Sequence, residues 1–306
     1  MYKVHCLNNI SAEGLKLLGD GYELTDNVEE ADVILVRSAN MHEMAISPQL
    51  KAVARAGAGV NNIPLEKLAE AGIPVFNTPG ANANAVKELV LAGMLLAARD
   101  IVGGIEWVKA NKDDENVGKA AEKAKKAFAG GEIYGKTLGV IGLGAIGKLV
   151  VGAAEALGMK VVGFDPFLDA ERAASISETM RFTEDLHDLL AASDYATIHV
   201  PANDSTKGMI GADEIAAMKD GAVFLNFSRD VLVDDEAMGK ALESGKVSRY
   251  VTDFANPVVV KMERAIVLPH LGASTAEAED NCAKMAVTEV KDYLERGVKT
   301  HCVNMK

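Results

Sequence analysis

The segment that most restricts how this chain folds lies near its middle. It is Gly142-Leu143-Gly144-Ala145-Ile146-Gly147, preceded by the apolar run Lys136-Thr137-Leu138-Gly139-Val140-Ile141. The apolar run predicts a buried strand, and Ile146 to Leu157 predicts a helix that stops at Gly158. A second apolar run, Met159 to Phe164, ends in Asp165. Strand, glycine loop, helix, strand and acid in this order make a βαβ unit of the kind that holds a dinucleotide. Gly142 makes the tight turn, Gly144 lets backbone approach a pyrophosphate, and Gly147 lets the helix pack closely. The pyrophosphate is expected on the helix N-terminus, at the N–H groups of Ala145 and Ile146. Asp165, about 20 residues past the glycines, suits two ribose hydroxyls. A 2′-phosphate there would meet like charge, a repulsion of about 1–4 kcal/mol at close range. NAD is therefore expected over NADP.

The 306 residues have room for two domains, and strand and helix patterns repeat on both sides of the fingerprint. Before it, Val4 to Leu7, Asp32 to Val36, Ala52 to Ala54 and Val75-Phe76 predict strands, with helices at Ala12 to Leu18 and Leu65 to Ala71 between them. Alternation of this kind predicts a second parallel sheet. A long helix is expected from Asn84, with Asn82 or Asn84 as its cap, and a charged surface helix and connector over 111–130. After the fingerprint, Ala196 to Pro201, Ala222 to Phe227, Tyr250 to Asp253 and Ala265 to His270 each predict a strand ending in polar residues. In open α/β sheets such ends form the ligand crevice, so Arg229, Asp253 and His270 are expected to converge. Ser274 to Glu277 resembles a capping box opening a last helix to Arg296. The short run Cys302 to Asn304 is expected to return to the first domain.

Charge and cysteine usage narrow the partners. A net charge of −12 and no basic stripe argue against nucleic acid or an anionic membrane surface. The basic residues between Lys119 and Lys126 alternate with Ala and Glu, as on a solvated helix face. Cys6, Cys282 and Cys302 are odd in number with no metal spacing, so no disulfide framework or metal site is expected, and a reducing cytoplasm suits them. No apolar run is long enough to span a membrane, and the residues after Met1 read as a strand, not a signal peptide.

Over nearly its whole length the chain resembles the D-2-hydroxyacid dehydrogenase family. The residues that carry this are Arg55 to Asn62, Asn77 to Asn82, the Gly142 loop, His199-Val200-Pro201, Asn226-Phe227-Ser228-Arg229 and Pro269 to Thr275. The Arg55 and Pro269 motifs resemble most the phosphoglycerate dehydrogenase branch, in a short form without C-terminal regulatory domains. The implied fold is α/β, with two doubly wound parallel-sheet domains. A Rossmann NAD-binding domain, 89–283, is inserted into a smaller flavodoxin-like substrate (lid) domain, 1–88 and 284–306, and closure over the substrate excludes water.

The implied activity is NAD-dependent oxidation of D-3-phosphoglycerate to 3-phosphohydroxypyruvate, in serine biosynthesis, by a cytoplasmic homodimer. By resemblance His270 is the general base, since an imidazole titrates near working pH. Arg229 would hold the substrate carboxylate and the C2 oxygen with its planar fork. Arg55, with N–H groups around Gly57 and Asn82, would anchor the distal phosphate. His199, Val200, Pro201, Thr206, Phe227, Ser228, His270 and Gly272 would line the cofactor, His199 shaping the turn into Pro201. Asp253 would accept from the nicotinamide carboxamide. A glyoxylate or hydroxypyruvate reductase, or another D-2-hydroxyacid dehydrogenase, is the alternative. From another class, the alternative is an NAD-binding regulatory protein with little catalysis.

The resemblance breaks at two places. Where the family has a glutamate paired with its histidine, this chain has Asn256 in a shortened loop, and asparagine supplies no negative charge to an imidazole. Glu263 or Glu236 is the candidate substitute, or His270 works unpaired. Where the family has glycine after the arginine, this chain has Asp230.

Overall fold

Alternating apolar strands and helices build two separate sheets, and every ladder in both is parallel. The structure, a computed structural model, describes residues 1–305. It divides the chain into one unit of Met1–Ala85 with the chain from Ala273 onward, and a second of Val86–Gly272.

In the first unit the elements run β1 (Tyr2–Cys6), α1 (Ala12–Leu15), β2 (Tyr22–Leu24), β3 (Val33–Val36), β4 (Ala52–Arg55), α2 (Leu65–Glu70) and β5 (Val75–Phe76). The strand order is β2-β1-β3-β4-β5. Helix α3 (Ala83–Ala98) leads onward, so Asn82 stands just before its first residue and Asn84 lies in its first turn. The second unit continues with α4 (Ile101–Ala110), α5 (Val117–Ala124), β6 (Thr137–Ile141), α6 (Ala145–Ala156), β7 (Lys160–Phe164), α7 (Ala170–Ala174) and β8 (Arg181–Thr183). It ends with α8 (Leu186–Ala192), β9 (Tyr195–Ile198), α9 (Ala212–Ala217), β10 (Ala222–Asn226), α10 (Asp235–Ser244), β11 (Val247–Thr252) and β12 (Ala265–Val267). Helix α11 (Ala276–Arg296) belongs to the first unit.

The seven-stranded sheet has the order β12-β11-β10-β9-β6-β7-β8, so the winding reverses between β6 and β9. The chain ends of β6, β9, β10 and β11 therefore emerge side by side at the point where such sheets hold ligands. Alternate residues of these strands feed two cores, as a sheet covered on both faces requires. Leu138, Val140, Val223 and Leu225 pack with Val90 and Met94 of α3 and Val150 and Ala154 of α6. Ile141, Ile198 and Phe224 pack with Leu189, Ile215 and Met238 of α8, α9 and α10.

In the first unit, α11 lays Cys282, Ala283, Ala286, Val287 and Val290 against Val33, Leu35, Ala52, Ala54 and Phe76. Gly14 of α1 makes this possible, because a Cβ there would overlap Ala283. The second crossing between units falls at 272/273, ahead of α11, because that whole apolar stripe packs on the first sheet; the expected position was 283/284. The C-terminal residues return to the same sheet. Cys302 bridges to Phe76, and the Val303 N–H donates to the Val75 carbonyl at 2.9 Å.

One buried acid ties this return together. Glu289 is 6% exposed. It shares a 2.6 Å hydrogen bond with His301 Nδ1, while its Oε2 is buried without a partner. Burial pushes the carboxyl up to about 7, against the opposing pull of His301. The folded protein then holds this proton above the pH at which the unfolded chain releases it. The stabilisation is complete below about pH 4.5 and is lost as pH rises through about 7. Thermal unfolding of the wild type and E289Q is expected to show their stability difference falling by about 2–3 kcal/mol across that window. A difference independent of pH would overturn this.

Candidate active site

The glycine loop follows β6 directly, and each glycine has a distinct steric reason. Gly142 sits at φ +91, and its N–H donates to the Phe164 carbonyl at 2.8 Å. A Cβ on it would lie 2.6 Å from the His199 carbonyl oxygen. A Cβ on Gly147 would overlap the Gly142 carbonyl oxygen, so the helix seats against the loop only without a side chain there. Gly144 is the N-cap of α6, with no side-chain cap and nothing within 4 Å of where its Cβ would stand. The uncapped N–H groups and the open space beside them are the cradle an anionic pyrophosphate needs.

Asp165 ends β7 beside this loop. Its Oδ2 accepts from the Leu143 N–H at 2.9 Å and its Oδ1 from the Phe167 N–H at 3.0 Å. Each carboxylate oxygen keeps a lone pair for a ribose hydroxyl. His199 ends β9 with a different task. Its Nε2 meets Thr197 Oγ1 at 3.0 Å, its Nδ1 is buried without a partner, and burial pushes its pKa down to about 3. The ring stays neutral, while the His199 backbone carbonyl and the Val200 side chain lie against Gly142. Pro201 and Thr206 close the following loop, where the Thr206 hydroxyl donates to the Pro201 carbonyl at 2.7 Å.

Three residues gather at the ends of β10, β11 and β12. Asn226, fully buried, clamps the turn after β10: its Nδ2 donates to the Arg229 carbonyl at 2.8 Å and its Oδ1 accepts from the Ser228 N–H at 3.1 Å. Ser228 Oγ donates to the Ile198 carbonyl at 2.7 Å, and Phe227 is buried against α3 at Gly93. Arg229 is thus presented from a rigid turn. Asp253 follows β11 and is 1% exposed. Its Oδ2 accepts from the Gly272 N–H at 2.7 Å, and its Oδ1 is buried with no partner. Burial raises its pKa, while the Gly272 amide and the charges of His270 and Arg229 pull it back. His270 stands in the left-handed region at φ 50, its N–H shared between the Asp253 carbonyl at 2.8 Å and the Leu268 carbonyl at 3.1 Å. Arg229, Asp253 and His270 do come together.

Two surface cavities lie elsewhere, one of about 310 Å³ at the amino ends of β9, β10 and β11 and one of about 470 Å³ at the amino ends of β6, β7 and β8. The smaller one is lined by Lys219 and Asp194, which neutralise each other at 3.0 Å.

In the first unit, Arg55 Nε donates to the Arg37 carbonyl at 2.9 Å. Gly57 has φ +150, and a Cβ on it would lie 2.7 Å from Arg55 Nη1, so glycine leaves room for the guanidinium. Its own N–H is already committed to Thr78 Oγ1 at 2.8 Å and to the Arg55 carbonyl at 2.9 Å. The next amides along, those of Ala58 and Gly59, are the ones left for a ligand. Arg37 is a residue that motif reading missed. Its guanidinium meets Glu279 at 2.9 Å, and together with Arg55 it acts electrostatically on the Cys282 thiol. The signal was available in sequence as an arginine at the end of an apolar strand.

The departures from the family pattern also have local explanations. Asn256 Oδ1 caps the turn at Val259–Lys261, accepting from Val258 and Val259 N–H at 2.9 Å each, and its Nδ2 donates to Asp235 Oδ2 at 2.8 Å. Glu236 pairs with Lys240 on the surface, and Glu263 is exposed with no polar partner. Neither stands in for a carboxylate at His270. Asp230 accepts from the Val231 N–H at 2.9 Å and opens the turn Asp230–Leu232.

Residues 91–272 match the NAD binding domain of D-isomer specific 2-hydroxyacid dehydrogenases. The chain belongs to this family. It is 36% identical to D-3-phosphoglycerate dehydrogenase of Methanocaldococcus jannaschii over 293 residues, 92% of this chain and 53% of that one. It is also 36% identical to hydroxypyruvate reductase of Thermotoga maritima over 302 residues, 91% of this chain and 94% of that one. The chain spans about half the length of the curated phosphoglycerate dehydrogenases it matches. Its fold superposes on NAD+-bound 3-phosphoglycerate dehydrogenase of Entamoeba histolytica with a TM-score of 0.79 and 26% identity, covering 99% and 98% of the two chains.

NAD is thus the cofactor, and the open space at Gly144 and the free lone pairs of Asp165 are compatible with it. The orphaned Asp253 Oδ1 fits it too, as a buried acceptor awaiting a donor such as a carboxamide N–H. Among the described residues no helix is long and apolar enough to cross a membrane, and no side-chain cluster suits a metal ion.

Proposed function

We propose that the protein is an NAD-dependent dehydrogenase that oxidises D-3-phosphoglycerate at C2 to 3-phosphohydroxypyruvate, as in serine biosynthesis. The observation that carries this reading is the trio at the strand ends: a buried acid with one oxygen unpartnered, flanked by an arginine and a histidine. NAD supplies the hydride acceptor. His270 takes the hydroxyl proton as the C2–H bond breaks, and returns it in reverse. Arg229 holds the substrate carboxylate and the C2 oxygen in a two-pronged grip. Asp253 Oδ1 accepts from the carboxamide and fixes which face of the nicotinamide is offered. In the first unit, Arg37 and Arg55, with the amides after Gly57 and with Asn82, take the phosphate. The domain roles follow: NAD on the second unit, substrate phosphate on the first.

The test is NADH formation with D-3-phosphoglycerate, D-glycerate, D-lactate and D-2-hydroxyglutarate side by side. Phosphoglycerate is expected to be preferred in kcat/KM by at least tenfold, and R55A to raise its KM by ~10-fold or more, a loss typical of a charge-assisted contact. Equal rates without the phosphate, with KM unmoved in R55A, would favour a hydroxypyruvate reductase like the Thermotoga relative. NAD binding without turnover of any acid would favour a regulatory protein.

The same reading includes a cytoplasmic homodimer formed through the second unit. Helix α4 supports the dimer, because it has no buried residue while Ile105 and Val108 are 49% and 52% exposed, with Ile101 and Val102 beside them. Such an apolar face on a charged protein is an association surface. Light scattering is expected to give twice the chain mass for the wild type and the single mass for I105D/V108D. A monomeric wild type would overturn the dimer.

A further inference from the structure

We propose that Phe254 is a positioning residue for His270, its ring forming the wall that fixes the plane in which the imidazole meets the substrate. This rests on the reading of His270 as the base. The two ring centroids are 5.1 Å apart with planes inclined at 59°, a tilted arrangement within the favoured range for aromatic pairs. The His270 backbone is already fixed by its two N–H contacts and its left-handed conformation. Its side chain is exposed beyond the end of β12, and Phe254 packs against the imidazole there.

Phe254 is itself held from both sides. Its N–H donates to Oγ1 of the fully buried Thr252 at 3.2 Å. Two residues on, Asn256 locks the loop through its bonds to Asp235, Val258 and Val259. The clamp of Asn256 thus fixes the loop that carries the Phe254 ring to His270. A ring orients its neighbour by shape, and its quadrupole makes the contact sensitive to the protonation state of the imidazole.

The experiment compares the wild type with F254A, F254L and F254Y. Long-range ¹H–¹⁵N spectra of the apoprotein report the His270 tautomer and titration, and steady-state kinetics report the reaction. F254L keeps apolar volume and so separates loss of the flat ring from loss of folding, with thermal unfolding as the check. F254A and F254L are expected to lower kcat by at least tenfold, to leave the NADH dissociation constant within twofold, and to shift the His270 ¹⁵N resonances and the pH profile of kcat. F254Y is expected to restore all three. Unchanged resonances and an unchanged profile in F254A and F254L would overturn the proposal. Resonances that move in a wild type that turns over no 2-hydroxy acid would leave Phe254 positioning the ring and would remove the assignment of His270 as base.

Discussion

H270N is expected to lower kcat for the acid substrate by ~10³-fold, within the 10²–10⁴ range of a lost general base, while NADH still binds within a few-fold of the wild-type affinity. Asparagine is the substitution of choice because position 270 has φ 50, and asparagine tolerates that region better than alanine. The backbone bridge from His270 N–H to the Asp253 carbonyl should therefore survive, and with it the Gly272 contact to Asp253 Oδ2. Stopped-flow hydride transfer and a fluorescence titration with NADH separate the two effects. A fall in kcat below tenfold would remove His270 from the chemistry. A parallel loss of NADH affinity would mean that the substitution had disturbed Asp253 instead.

G147A is expected to reduce NADH affinity by more than 100-fold and to destabilise the second unit by about 1–3 kcal/mol, the range for forcing a methyl into a packed site. The added Cβ would overlap the Gly142 carbonyl oxygen, which belongs to backbone and has no rotamer to escape into. Either α6 moves off the loop, or the loop loses the turn that Gly142 makes beneath His199. G144A is the contrasting case. Nothing lies within 4 Å of its Cβ position, so its unfolding temperature is expected to match the wild type, and any lost affinity reports the ligand side alone. Unaltered NADH binding by G147A, measured by calorimetry, would show that the loop does not hold the pyrophosphate.

Much of this architecture was legible because glycine and apolar spacing are local signals. The βαβ unit reads directly from Thr137 to Asp165, and the return of the chain to the first sheet was legible in Cys302 to Asn304. The strands at Tyr22–Leu24 and Arg181–Thr183 were not, since each is an edge strand of three residues with no apolar run. The position of the second crossing was hidden for another reason. Nothing local in α11 shows that Cys282 to Val290 pack on Leu35 and Phe76, hundreds of residues away in sequence.

At the site, motif reading located Arg229, Asp253 and His270 but not what surrounds them. The commitment of the Gly57 amide to Thr78, the alliance of Arg37 with Arg55, and the Phe254 ring beside His270 are tertiary contacts with no sequence periodicity. Asn256 reads as a missing acid in sequence. In the fold it is a cap, with both ends of its amide engaged.

The dependence of the first sheet on α11 has a consequence for how the protein is made. About 200 residues separate Phe76 from Cys282, and at roughly 5–20 residues per second their synthesis takes roughly 10–40 s. Through that interval Val33, Leu35, Ala52, Ala54 and Phe76 have no covering helix, while the inserted unit already has all of its own strands by Val267. The ends of that unit meet, since a Cβ on Gly272 would lie 3.6 Å from Val86. The insert is able to close as a finished body on the ribosome while the first half of its host waits open. The nascent chain is therefore exposed to aggregation, and to capture by chaperones, at its amino-terminal sheet first.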